Sequence, residues 1–272
     1  MEENDMGDSM LLQPGKVAVV TGIGPGLGRE IALGLARLGA KLAIGARTRK
    51  MLDDTKKECE ALGAEVIAMP TDLAKREDCE ALVKAAGDQW GTVDILIQNG
   101  HHAGDWTSVE NADPEFWVKT IEVNLFGALH LFRACLPYFK AQKDGRVVFV
   151  NSGAANNRPQ PGLAAYSAGK AAMASLVRSI AIEHGGDGIR CNGTHMGVIQ
   201  GANVQPWFES EAARRGMSVA DHMNDYYDHY LPLRYVPPPK ECAGGIIFLV
   251  SDMARVITGQ ALSINGGEWF GA

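Results

Sequence analysis

A tyrosine and a lysine four residues apart, Tyr166 and Lys170, stand in a run that reads as helix: Ala165, Ala168, Ala171, Ala172, Met173, Leu176, Val177 and Ile180. Residues at i and i+4 share a helix face, so the phenol and the ammonium point the same way. A free tyrosine titrates near ~10, and a positive charge beside it favours phenolate. A tyrosine so tuned can take or give a proton near neutral pH, which is general acid–base chemistry. Tyr–Lys pairs are also common as plain surface neighbours, so the reading depends on what the rest of the chain places around them.

The chain has 272 residues, enough for one large domain or two small ones, with 46% hydrophobic and 21% charged residues. That balance is ordinary for a globular protein. No linker rich in Pro, Gly or Ser divides it, so one domain is expected over 15–272 after a loose N-terminal tail, 1–14. The net charge of −6 supplies no basic footprint for nucleic acid. Cys59, Cys79, Cys135, Cys191 and Cys242 are scattered without a CxxC pair. They read as free thiols in a reducing compartment, and a cytoplasmic location is expected. The first residues lack the positive start and apolar block of a secretory leader. No apolar run approaches the roughly 20 residues of a membrane span.

Strands and helices alternate along the chain. Apolar, β-branched runs predict strands over 16–21, 41–46, 65–69, 94–98, 146–150, 189–192 and 261–264. Helical spacing predicts a helix with Ile31, Leu35 and Leu38 on one face. Others are expected over 50–62, 75–90 and 114–142, around Tyr166, and over 240–251. Such alternation calls for a parallel sheet of about seven strands covered by helices on both faces, the doubly wound α/β class. Ligands bind there at the carboxyl ends of the strands.

The first strand stops at glycines 22, 24, 26 and 28, with Leu27 between the last two, just before a helix. Glycines there let the backbone turn tightly and approach a pyrophosphate seated on the helix N-terminus. Together with Asn124, Ser152 and Tyr166-x-x-x-Lys170, the Thr-Gly-x-x-x-Gly-x-Gly loop resembles the short-chain dehydrogenase/reductase family in its single-domain, Rossmann-type form. The likeness runs from about Lys16 to Gly267 and includes Ile257-Thr258-Gly259-Gln260 and Asn265-Gly266-Gly267 near the end.

An acid at the end of the second strand would bond the ribose 2′-hydroxyl of NAD, and an arginine there would bind the 2′-phosphate of NADP. Here the strand ends Ala46-Arg47-Thr48-Arg49-Lys50. Arg47, flanked by Thr48, is the candidate phosphate clamp, and NADP(H) is the expected cofactor, with NAD(H) left open. The alternative is that these cations are only a solvated helix start.

The resemblance implies further roles. Asp72, beside Leu73, would bond the adenine, and Asn99 and Gly100 would border the cofactor ribose, although Gln98-Asn99-Gly100-His101 departs from the family's Asn-Asn-Ala-Gly. Tyr166 would exchange the proton, Lys170 would also hold the nicotinamide ribose, Ser152 would hold the carbonyl oxygen, and Asn124 would hold a water that relays protons. Gly197 and Ile199 would meet the nicotinamide amide, with Met196 in place of the family's proline.

Substrate contacts are expected from Ser152, Tyr166, Met196, His102 and Trp207, with polar groups from Asn156, Asn157, Arg158 and Gln160 at the mouth. A lid is expected over about 200–236, crowded with Trp207, Phe208, Met217, Met223, Tyr226, Tyr227, Tyr230, Leu231 and Tyr235. Its composition suits a bulky apolar cyclic or aromatic ketone or alcohol; helices packed on the domain or on a neighbouring subunit are the alternative. His101 and His102 lack a third ligand at useful spacing, so no metal is expected. A homo-oligomer, dimer or tetramer, is implied through the long helices. A C=C or C=N reductase, or a non-catalytic NADP-binding regulator, stands as the alternative function.

Overall fold

Residues 11–103, 105–157, 160–202 and 204–270 are described by a computed structural model. The apolar runs form strands buried on both faces, because helices cover each side. In chain order the elements are β1 (Val17–Thr21), α1 (Leu27–Arg37), β2 (Lys41–Ala46), α2 (Arg49–Ala61), β3 (Val66–Pro70) and α3 (Arg76–Trp90). Then come β4 (Ile95–Gln98), α4 (Pro114–Ile121), α5 (Gly127–Gln142), β5 (Gly145–Phe149), α6 (Ala164–His184) and β6 (Ile189–Met196). A helix pair, α7 (Gln205–Arg215) and α8 (Val219–Tyr230), precedes α9 (Pro239–Val250) and β7 (Ala261–Ile264).

All seven strands are parallel, in the order β3-β2-β1-β4-β5-β6-β7. Ile31 and Leu35 of α1, Leu52 of α2 and Ile246 of α9 pack on one face. Leu82 of α3, Leu131 of α5 and Met173 of α6 pack on the other. Each such buried side chain contributes about 1.5–3 kcal/mol. The amino ends of the central strands are tied by charge. Lys16 bonds Asp94 at 2.8 Å, the same carboxylate accepts the Val17 N–H at 2.8 Å, and Arg146 bonds Asp144 and Asp252, each at 3.0 Å. The carboxyl ends are left to the ligand cleft. Among the described residues no helix is long and apolar enough to cross a membrane.

Four expectations change. The helix expected over 114–142 is broken by a wide π-type turn, Glu122–Phe126, which holds Asn124. The side-chain amide of Asn124 bonds both backbone groups of His102, which pins this turn to the loop after β4. Strand β6 runs to Met196, four residues beyond the expected end, because its polar residues Asn192 and Thr194 find buried partners. The tail is not loose throughout. Leu12 is buried against the core, and Leu11 O accepts the Asp252 N–H. The aromatic stretch folds into its own small cluster, in which Phe208, Tyr226, Leu231 and Val236 are buried.

Strand order reverses between β1 and β4, and there Gly22 crosses the exit of β4. Gly22 has φ +75°, and a Cβ on it would lie 2.2 Å from Gly100 N. Gly22→Ala is therefore expected to cost about 1–3 kcal/mol, lowering Tm and weakening dinucleotide binding. An unchanged melting curve and unchanged NADPH affinity would contradict this packing.

Candidate active site

Just beyond the carboxyl ends of the strands lie two adjoining cavities, of about 540 Å³ and about 220 Å³. Gly22, Asn99 and His101 line both, so they form one trough across the switch point. The larger half is bordered by Gly24, Gly26 and Leu27, and by the N-terminus of α1, whose first turn carries no side-chain cap. A Cβ on Gly24 would meet nothing within 4 Å, so the loop leaves open space before uncapped backbone donors. Gly28 serves a different purpose: a Cβ there would lie 2.2 Å from Gly22 O. Asn99 Nδ2 donates to that same Gly22 carbonyl at 2.8 Å, fastening the loop to β4. These residues fit a dinucleotide pyrophosphate.

The smaller half is bordered by Ala46, Arg47, Thr48, Asp72 and Leu73. Arg49 is paired with Asp53 and Lys50 with Asp54. Arg47 has no ion pair among the described residues, and no carboxylate ends β2. Asp72 Oδ1 accepts the Ala74 N–H at 3.1 Å, and its own N–H donates to Asp78.

Ser152, Tyr166, Lys170, Met196, Gly197 and Ile199 border the larger half. Ser152 follows β5 and bridges to Met196, so the strand pairing itself delivers the hydroxyl to the cleft. The Ser152 hydroxyl accepts the Ala154 N–H at 3.2 Å and is near enough to Tyr166 to favour its phenolate. Lys170 Nζ lies 5.7 Å from the centre of the Tyr166 ring. It donates to Val150 O at 2.9 Å. Among the described residues no hydrogen bond joins it to the Tyr166 phenol. Asn151, which sequence reasoning passed over, is buried. It bonds Lys170 O at 2.9 Å through Nδ2 and accepts the Ser152 N–H at 2.9 Å. Its only sequence signal is its place before Ser152.

Two expected substrate contacts move. His102 is turned away from the tyrosine: its Nδ1 meets Thr120 Oγ1 at 3.0 Å and its ring rests on Phe116. The Thr120 hydroxyl donates to Phe116 O, so His102 Nδ1 carries the proton. His101 takes the place expected of His102, with its ring edge-on to Tyr166 at 6.2 Å between centroids. Adjacent side chains leave this loop in different directions: His101 borders both halves of the trough and His102 the smaller half alone. Trp207 packs on Phe208 at 4.8 Å and on Tyr226 at 5.4 Å, and Val204 takes its place on the cavity wall. Arg158 lies outside the described residues. Among the described residues no three His, Cys, Asp or Glu gather as a metal set.

Residues 16–212 match the short chain dehydrogenase family. The chain belongs to the short-chain dehydrogenase/reductase family. It is 30% identical over 253 residues to human Dehydrogenase/reductase SDR family member 4, across 93% of this chain and 87% of that one. Over 185 residues it is 37% identical to Glycine betaine reductase ATRR of Emericella nidulans, across 67% of this chain but 14% of that protein. Its fold superposes on the L-sorbose reductase of Gluconobacter frateurii, complexed with NADPH and L-sorbose, with a TM-score of 0.88 at 27% identity. That match covers 96% of this chain and 99% of the other. As a member of this family the chain is an oxidoreductase acting on an alcohol or carbonyl group with a nicotinamide cofactor.

Electrostatics in this dehydrogenase's cleft follow from burial. Burial raises Tyr166 above the usual tyrosine value, and the Ser152 hydroxyl opposes it. Burial pushes Lys170 down to about 7. Burial, then the Lys170 charge, hold His101 below the ordinary histidine value. The His101 ring is open to the cleft, so water tempers the burial effect until a ligand fills the space.

Lys170 favours its neutral form when folded, relative to about 10.4 for a free lysine. The cost of charging it is complete below about 7 and fades as pH rises toward the free value. Wild type is therefore expected to gain Tm relative to Lys170→Met between pH 7 and pH 10. A difference in Tm that stays constant across that window would contradict a site that disfavours the ammonium.

Proposed function

We propose that this chain interconverts a ketone and a secondary alcohol, using NADP(H). The observation that carries the reading is the convergence of Ser152, Tyr166 and Lys170 on one wall of the larger cavity, opposite the glycine loop. The nicotinamide, when bound, supplies or accepts the hydride. Tyr166 gives a proton to the substrate oxygen in reduction and takes it back in oxidation. Ser152 holds that oxygen as negative charge develops on it. Lys170 holds the ribose hydroxyls, and its charge beside the phenol favours phenolate when the cofactor closes the cleft. Asn124, its side chain engaged with His102, shapes the turn that leads to the loop carrying His101.

The choice of NADP(H) rests on Arg47 at the rim of the smaller cavity, without a carboxylate partner, while Arg49 and Lys50 are already paired. Asp72 and Leu73 would then border the adenine, and Gly197 and Ile199 the nicotinamide amide. For the substrate, the aromatic lid residues favour one another as neighbours and not the cavity. The wall near Tyr166 is Met196, Val198 and Val204, with His101 and Gln200 as polar groups. This suits a ketone with an apolar body of moderate size and a polar group near the carbonyl.

The test is a panel of cyclic, aromatic and polyhydroxylated ketones with NADPH and NADH. Wild type should reduce at least one ketone with higher kcat/KM for NADPH. Arg47→Ala should erase most of that preference, a loss of about 10-fold or more for a charge-assisted phosphate contact. Tyr166→Phe should lose turnover by about 100-fold or more while NADPH still binds. NADH preference insensitive to Arg47→Ala would defeat the cofactor reading, and turnover surviving in Tyr166→Phe would defeat the chemistry.

The same reading takes the α4–α5 face as a homo-oligomer contact. Val118 is 58% exposed and Phe126 44% exposed there, beside Trp117 and Ile121. Phe126→Asp should lower the mass measured by light scattering from that of a dimer or tetramer. A wild-type monomer would refute the assembly.

A further inference from the structure

The loop after β7 carries a carboxylate that the reaction itself does not use. Glu268 Oε1 accepts the hydroxyl of Tyr226, in lid helix α8, at 2.9 Å. Glu268 Oε2 accepts the backbone N–H of Val198 at 3.0 Å. Val198 and the preceding Gly197 border the larger cavity. A Cβ on Gly197 would lie 2.4 Å from Oε2, so the carboxylate occupies the space that the glycine leaves. Tyr226 is buried, and burial together with the Glu268 charge push its phenol well above the usual value. It therefore remains a donor throughout the working pH range.

The loop that holds Glu268 is itself braced. Asn265 Oδ1 accepts the Gly267 N–H at 3.0 Å, and Asn265 Nδ2 donates to Trp269 O at 2.9 Å. The Leu233 N–H at the end of the lid donates to Gly266 O at 3.2 Å. The Trp269 indole lies over Gly153, where a Cβ would sit 2.3 Å from Nε1. One short loop thus touches the turn after Ser152, the wall after β6 and the lid. Glu268 borders neither cavity, and both of its oxygens are engaged. It is placed to position other groups and not to touch substrate.

We propose that Glu268 is a positioning residue that latches the lid, through Tyr226, to the cavity wall at Val198 and so sets the affinity for the carbonyl substrate. A lid held by one carboxylate shared with the wall keeps both surfaces in one register. Loss of the latch frees the lid, while the glycine loop, Arg47 and the Ser152–Tyr166–Lys170 group keep their own supports. The substrate arm of this inference rests on the ketone reading above; the lid arm does not.

The experiment compares wild type, Glu268→Ala, Glu268→Gln and Tyr226→Phe as full-length proteins loaded with NADPH. Hydrogen exchange is read in peptides from 198–199 and 204–236, with β1 and β5 as internal controls. Glu268→Ala and Tyr226→Phe should speed exchange in the lid with the control strands unchanged, as local opening predicts. In Glu268→Gln one oxygen still accepts, so exchange should fall between Glu268→Ala and wild type. With a ketone from the panel, KM should rise about 10-fold in Glu268→Ala, the size a lost charge-assisted hydrogen bond supports. The kcat should stay within about 2-fold, since Glu268 takes no part in the chemistry, and the NADPH Kd should change by less than KM, since Val198 is the one point where the latch adjoins the cofactor wall. Unchanged lid exchange in Glu268→Ala overturns the latch. So does a fall in kcat or NADPH affinity that matches the rise in KM. If wild type reduces no ketone, the ketone reading fails, and the exchange data alone still decide the latch.

Discussion

The contact on which the site depends is the close approach of two strand exits, Gly22 after β1 and Asn99-Gly100 after β4. The Asn99 amide holds the Gly22 carbonyl at 2.8 Å, and no side chain fits between the two backbones. This contact sits where the strand order reverses, so helices leave the sheet in opposite directions and a trough opens between them. The glycine loop can face a dinucleotide only because β4 holds it there. His101, the next residue but one after Asn99, is carried into the trough by the same contact.

Around that contact the protein separates its charges. Ion pairs of Lys16, Asp94, Asp144 and Arg146 gather at the amino ends of the strands, away from the trough. At the carboxyl ends, Lys170 is buried with a backbone carbonyl as its hydrogen-bond partner, and the tyrosine it faces is half-buried. Burial disfavours the charged form of each group, so each favours the other's ionisation only when both are held close in a dry cleft. Asn151 ties the Lys170 carbonyl to the Ser152 amide from a single side chain.

The helix pair α7 and α8 follows a different rule. Its aromatic residues satisfy one another in a cluster of their own, with Phe208 and Tyr226 at its centre. Aromatic pairs gain from edge-on packing beyond the area they bury. The cavity is lined by smaller groups, Val198, Ala202 and Val204, and the helix pair is tied to the loops after β6 and β7 through polar bonds at Gln200 and Glu268. Composition alone counts aromatics in a stretch of chain; it does not say whether they face a ligand or each other.

How much could be read in advance varied with the range of the interaction. The alternation of strand and helix, the glycine loop, Tyr166 with Lys170, and the absence of an acid at Ala46 depend on neighbours in the chain. The seven-stranded parallel sheet and the family followed from them. The tertiary structure decided which of two adjacent histidines faces the tyrosine, that Asn124 pins a wide turn to the His102 backbone, and that Trp207 turns inward. It also placed Asn151 behind the lysine and brought Glu268, forty-two residues from Tyr226 in the chain, onto α8. Each of those outcomes rests on a hydrogen bond or a steric limit between segments far apart in sequence, and local spacing carries no record of which distant partner a side chain will meet.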